Sequence, residues 1–193
     1  MDLAEWDEKY RKGAVEPRAP DPLLVAAAST LPPARALDLA CGAGRNALWL
    51  AGQGWKVTAV DGSAAAIETL RAGAGRLGVA IDARVTDLEK AEFTIAHASW
   101  DLIAACYYLQ RDLLASAKQG LVAGGVMVAI ALLAEPGREN SPYRALPGEL
   151  RKYFDGWEIQ HDREGADPSG HAVAEIVARR PNSDTGKPDQ DSY

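Results

Sequence analysis

The residues best able to do chemistry gather around one glycine turn. In LDLACGAGRNALWLA, Gly42 and Gly44 stand between a short apolar run and a helical one. Without side chains there, the backbone can bend tightly and a ligand can come close. The helix beginning at Arg45 adds free N–H groups and the positive end of its dipole. The next apolar run, KVTAV, ends in Asp61. A carboxylate in that position can accept both hydroxyls of a ribose.

The turn alone is ambiguous. Gly42, Gly44 and Ala47 also satisfy the G-x-G-x-x-G/A dinucleotide fingerprint, with an acid about 20 residues on. The residues before the turn separate the readings. A dinucleotide strand is usually apolar at both inward positions, whereas here they are Asp38 and Ala40. A carboxylate inside a strand is costly unless it is hydrogen-bonded. Asp38 can orient the loop or meet a ligand ammonium, and small Ala40 leaves room for an aliphatic tail. Asn46, in the first helical turn, can satisfy backbone groups or touch the ligand. A nicotinamide oxidoreductase would also need a Tyr-x-x-x-Lys, but Tyr107 and Tyr108 are followed at +4 by Arg111 and Asp112.

Other chemistries find less support. Two cysteines cannot make a disulfide scaffold or a four-thiolate zinc site, and the three histidines lack ligand spacing, so no metal is expected. Lys plus Arg is 21 against 27 Asp plus Glu, a net charge of −6. That weighs against a nucleic-acid footprint. The N-terminus has no apolar run of the secretory kind, and the longest apolar stretch, residues 126–134, falls far short of the ~20 a membrane span needs. The expectation is a cytoplasmic chain with a small-molecule partner and no membrane or nucleic-acid partner.

These residues need elements to position them. At 193 residues the chain suits one domain. Strands are predicted at 35–41, 56–60, 80–85, 100–106 and 126–133, and helices at 23–30, 45–53, 64–78 and 112–118. Residues 121–125 read as a turn. Strand and helix alternate as in βαβ units, which implies a parallel sheet with helices on both faces. A short helix follows at 146–154. Strands at 157–162 and 172–179, joined by the turn-rich REGADPSGH (163–171), have no helix between them and should pair antiparallel. Residues 1–22 read as an arm that could cover a ligand, with Trp6 and Tyr10 on one helical face. Residues 23–180 form the domain. The tail from 181 to 193 lacks core formers and is expected to be disordered.

D-x-A-x-G-x-G at a strand–helix junction resembles motif I of class I S-adenosylmethionine-dependent methyltransferases. WDLIAACYYL and LVAGG resemble that family's fourth-strand motif and the turn before its fifth strand. The resemblance implies a Rossmann-like, doubly wound α/β sheet of seven strands, order 3-2-1-4-5-7-6, with strand 7 antiparallel. It implies S-adenosylmethionine as cofactor and a small-molecule methyl acceptor. Asp61 with Gly62 would bind the ribose. Asp87 and the Leu88 N–H would meet the adenine, although Asp87 could also be a helix cap. Asp38, Ala40, Cys41, Gly42, Gly44, Asn46, Cys106 and Tyr107 complete the implied cofactor set, and Arg18 could pair with the ligand carboxylate. Tyr107 and His171 are the candidates for acting on the acceptor. In the implied order Cys41 and Cys106 end neighbouring strands, either as small fillers or as a thiol pair for a soft metalloid. A non-catalytic S-adenosylmethionine-binding module remains an alternative.

CGAGRNALWLAGQGWKVTAVD, RVTDLEKA, PGELRKYFDGW and AEIVARR occur in the order seen in tellurite-resistance-type methyltransferases, which the chain resembles more narrowly. It departs from them in the loop before the last strand. Their longer loop, with a His-Arg pair, is shortened here to REGADPSGH, with Arg163 and His171 nearby.

Overall fold

The computed structural model describes residues 3–13, 19–135 and 141–182. Seven strands make one sheet: β1 (Arg35–Leu39), β2 (Lys56–Asp61), β3 (Ile81–Val85), β4 (Trp100–Cys106), β5 (Leu121–Leu132), β6 (Glu158–Ala166) and β7 (Ala172–Arg179). Their order is β3-β2-β1-β4-β5-β7-β6. The first five are parallel, and β7 runs antiparallel to both β5 and β6. The helices are α1 (Leu3–Arg11), α2 (Pro22–Ala28), α3 (Arg45–Gly52), α4 (Ala64–Leu77), α5 (Arg111–Gly120) and α6 (Glu149–Lys152).

Strand alternation divides the core. Leu37, Leu39, Ile103 and Met127 face the side covered by Leu113, Leu114 and Ala117 of α5 and Leu150 of α6. Ala36, Val57, Leu102 and Val128 face the side covered by Leu24 of α2, Leu50 of α3 and Leu70 of α4. Because both faces are covered, the central strands read as continuous apolar runs. The chain turns in opposite directions from β1 and β4, which are neighbours. In such sheets the crevice outside the strand ends at this switch point receives ligands.

Three elements differ from the sequence expectation. Residues 121–125 belong to β5, and pairing jumps from Trp100↔Leu121 to Leu102↔Val126. The looped-out residues are held by the Gly124 N–H on the Arg180 carbonyl and the Arg180 N–H on the Gly125 carbonyl. β6 continues to Ala166, where a turn had been expected, because Arg163 lies opposite Glu175 and bonds its carboxylate at 2.6 Å. Only residues 167–171 form the turn. α6 is shorter than the helix expected at 146–154. Among the described residues, no helix is long and apolar enough to cross a membrane. Most of the tail from 181 to 193 lies outside the described residues.

Candidate functional site

A cavity of about 580 Å³ opens at the C-terminal ends of the parallel strands. Seven of the residues expected to bind the cofactor line it: Ala40 after β1, Asp61 and Gly62 at β2, Asp87 and Leu88 after β3, and Cys106 and Tyr107 at β4. Asp38, Cys41, Gly42, Gly44 and Asn46 are buried and are not among the lining residues. His171 is not among the lining residues, and its side chain is 62% exposed. Arg18 lies outside the described residues.

The glycine turn has the backbone its composition suggested. Gly42 and Gly44 have φ of +55° and +81°. A Cβ on Gly44 would lie 2.9 Å from Leu70 Cγ, and one on Gly42 would lie 3.3 Å from Tyr10 Cζ. Asp61 ties the turn to β2: its carboxylate accepts from the Gly42 N–H and the Ser63 N–H, each at 2.8 Å. Burial raises its pKa despite these bonds. Asp38 is buried, and among the described residues its Oδ2 has no hydrogen-bond partner. Burial pushes its carboxyl up to about 7. Asn46 accepts from the Asp21 N–H.

Burial also pushes both thiols, Cys41 and Cys106, well above the ordinary cysteine value. Both are therefore protonated at neutral pH. That weighs against a pair of ready thiolates, since the thiolate is the metalloid-binding form.

α1 lies over the turn. Leu3, Trp6 and Tyr10 line the cavity. Asp7 fixes the helix there by accepting from Ser63 Oγ at 2.7 Å and the Ala65 N–H at 3.0 Å, at the N-terminus of α4. The Tyr10 phenol is pushed up to about 12, first by burial and then by Asp61.

Tyr107 has φ +63°, in the left-handed region. Its hydroxyl donates to Asp167 Oδ2 at 3.1 Å. Burial, Asp21 and that hydrogen bond push the phenol up to about 12, so it is no base at neutral pH. Tyr108 donates to Gln110 Oε1, and Gln110 Nε2 donates to the Leu88 carbonyl. Burial raises Tyr108 as well.

The sequence did not point to Glu89, Leu109, Leu132, Ser141, Tyr143 or Arg144, which also line the cavity. Leu132 could have been found, because it ends a parallel strand. The 141–144 segment carries no motif.

The profile of the tellurite resistance protein TehB matches residues 6–167. The chain belongs to the TehB family. The crystal structure of TehB from Haemophilus influenzae superposes with a TM-score of 0.71 at 23% identity, over 92% of this chain and 66% of that one. A Burkholderia thailandensis 1,6-didemethyltoxoflavin-N1-methyltransferase, solved with bound 1,6-didemethyltoxoflavin and S-adenosylhomocysteine, superposes at 0.69 with 18% identity, over 93% and 87% of the two chains. The 23S rRNA (uracil(1939)-C(5))-methyltransferase RlmD of Halomonas elongata is 49% identical over 61 residues, or 32% of this chain and 13% of RlmD. The chain thus spans just under two thirds of that TehB and a small part of RlmD. Structural likeness at these identities shows the fold, a seven-stranded methyltransferase sheet.

The residues present suit the S-adenosylmethionine that a TehB-family fold implies. Among the described residues Asp38 has an unpartnered buried carboxylate oxygen, and Asp61 and Asp87 stand at successive strand ends in the cavity lining.

Proposed function

We propose that this chain transfers a methyl group from S-adenosylmethionine to a small-molecule acceptor. One observation carries the reading. A single cavity gathers the strand-end acids Asp61 and Asp87 beside the glycine turn, at the switch point of the sheet. When bound, S-adenosylmethionine supplies a methyl group already activated on a sulfonium. Asp61 would accept the ribose hydroxyls. Asp87 and the Leu88 N–H would meet the adenine, and Asp38 an ammonium.

The remaining task is to bring donor and acceptor to ~3–3.5 Å and exclude water. α1, seated over the turn, suits the second role. A thiolate, selenolate or oxyanion acceptor needs no base, which fits a cavity whose phenols Tyr107 and Tyr108 are both shifted upward. The acidic balance of the chain favours a small acceptor over nucleic acid.

Calorimetry should detect S-adenosylhomocysteine binding and no NADH binding. Thiols, selenite, tellurite, arsenite and thiopurines, screened by S-adenosylhomocysteine release, should then yield at least one acceptor. Failure to bind S-adenosylhomocysteine would overturn the proposal. Tight binding without turnover would favour a binding module.

A further inference from the structure

The strand order gives the cavity two ends. Asp87 follows β3 and Asp61 ends β2, so on the reading proposed above the nucleoside lies over that half of the sheet. Tyr107 follows β4, on the far side of β1. A zwitterionic amino-acid tail leaving the nucleoside would pass the glycine turn and run toward β4. Groups of both signs are collected there. Asp38 offers its buried, unpartnered Oδ2. Arg45 pairs with Asp21 at 3.3 Å, and its guanidinium carbon lies 5.3 Å from the centroid of the Tyr107 ring. The charges of Asp38, Asp21 and Arg45 all act on the Cys106 thiol, so these groups share one neighbourhood.

Tyr107 is the unusual member of this group. A bulky residue rarely adopts φ +63°, and such a backbone persists only where its surroundings over-determine it. Here they do. Its N–H donates to the Ile130 carbonyl at 2.7 Å, its ring packs under Arg45, and its hydroxyl is held by Asp167. Asp167 is buried and fixed in turn, because its Oδ1 accepts from the Ser169 and His171 N–H groups at 2.8 Å each.

We propose that Asp167, on the β6–β7 turn, is a positioning residue for the amino-acid tail of the cofactor, acting through the Tyr107 phenol. The proposal rests on the S-adenosylmethionine reading above. Holding the phenol fixes the ring and the backbone turn after β4, and these form that end of the cavity. The β6–β7 hairpin, remote in sequence from every cofactor motif, thereby becomes part of the binding apparatus.

The test uses the full chain and calorimetry with two probes. S-adenosylhomocysteine carries the amino-acid tail. 5′-Methylthioadenosine keeps the nucleoside and thioether and lacks the tail. Tyr107→Phe and Asp167→Ala should each weaken S-adenosylhomocysteine about tenfold and change methylthioadenosine by less than about twofold. Asp167→Asn, which keeps a hydrogen bond to the phenol in either amide orientation, should stay within about threefold of the parent protein. The double variant Tyr107→Phe/Asp167→Ala should bind no more weakly than the weaker single one, because both remove the same interaction.

Unchanged S-adenosylhomocysteine affinity in Tyr107→Phe would overturn the inference, as would equal weakening of both probes or additivity in the double variant. If Asp167→Ala does not fold, Tyr107→Phe and Asp167→Asn decide the matter. An unsubstituted protein that fails to bind S-adenosylhomocysteine overturns the methyltransferase reading itself. Normal binding with unaffected variants overturns the positioning role alone.

Discussion

Replacing Gly44 by alanine should be among the most damaging one-carbon changes in the molecule. Two costs combine. At φ +81° an alanine pays for the left-handed backbone, about 1–2 kcal/mol. Its Cβ would also lie 2.9 Å from Leu70 Cγ and 3.1 Å from Leu70 Cβ. Leu70 is fully buried against α3 and the sheet, so it cannot swing away. Overpacking of this kind adds about 1–3 kcal/mol, for a total of about 2–5 kcal/mol.

Gly78 supplies the control. It too is left-handed, at φ +66°, but a Cβ there meets nothing within 4 Å among the described residues. Gly78→Ala should therefore show the backbone cost alone. Urea unfolding of both variants measures the difference. At a slope of roughly 2 kcal/mol per molar, Gly44→Ala should lower the midpoint by about 1–2.5 M and Gly78→Ala by about half a molar to 1 M. Trimming the obstacle with Leu70→Ala in the Gly44→Ala background should cost less than the sum of the single changes, by about 1 kcal/mol or more. The reasoning fails if Gly44→Ala is no worse than Gly78→Ala, or if the double variant is additive.

Asp61→Ala should weaken S-adenosylhomocysteine and 5′-methylthioadenosine together, about tenfold or more, because both carry the ribose; calorimetry in which only one probe weakens would reject a ribose-binding role. Burial lifts Asp38 from 3.8 to about 7, so between those values the folded protein holds a proton that the unfolded chain has released. The stability from this group is full below about pH 4 and is lost as pH rises toward 7. Thermal midpoints of Asp38→Asn, compared with the parent protein without ligand, should shift in the variant's favour from pH 4 to 7.5, and parallel curves would contradict the assignment. Deleting residues 1–20 removes Trp6, Asp7 and Tyr10 together; stopped-flow measurements should show faster release of S-adenosylhomocysteine, and an unchanged rate would reject the covering role of α1.

What the sequence disclosed was local. Gly42, Gly44 and Asp61 fall within 20 residues, and their roles in a strand–turn–helix–strand unit follow from backbone geometry and spacing alone. β1, β2 and β4 were legible for the same reason, each being a short, mostly apolar run closed by punctuation. The missed parts depend on partners far along the chain. Residues 121–125 carry two glycines and look like a turn until Arg180 supplies their backbone partners. Arg163 looks like a loop residue until Glu175 faces it across the hairpin. Asp7 caps a helix that begins 57 residues later, and Asp167 meets Tyr107 across 60 residues. No local pattern announces such pairs.

The direction of β7 has a practical consequence. The parallel strands all end at the cavity, and β7 runs the other way, so the chain leaves the sheet at Arg179 beside Val126, on the opposite rim. Leu3, by contrast, is at the cavity mouth. An affinity handle fused ahead of Leu3 would trail across the ligand entrance and compete with α1 for its seat on α4. A handle placed on the carboxyl side of Arg179 starts from the rim opposite that entrance. Protein for ligand measurements should therefore be tagged at the carboxyl end.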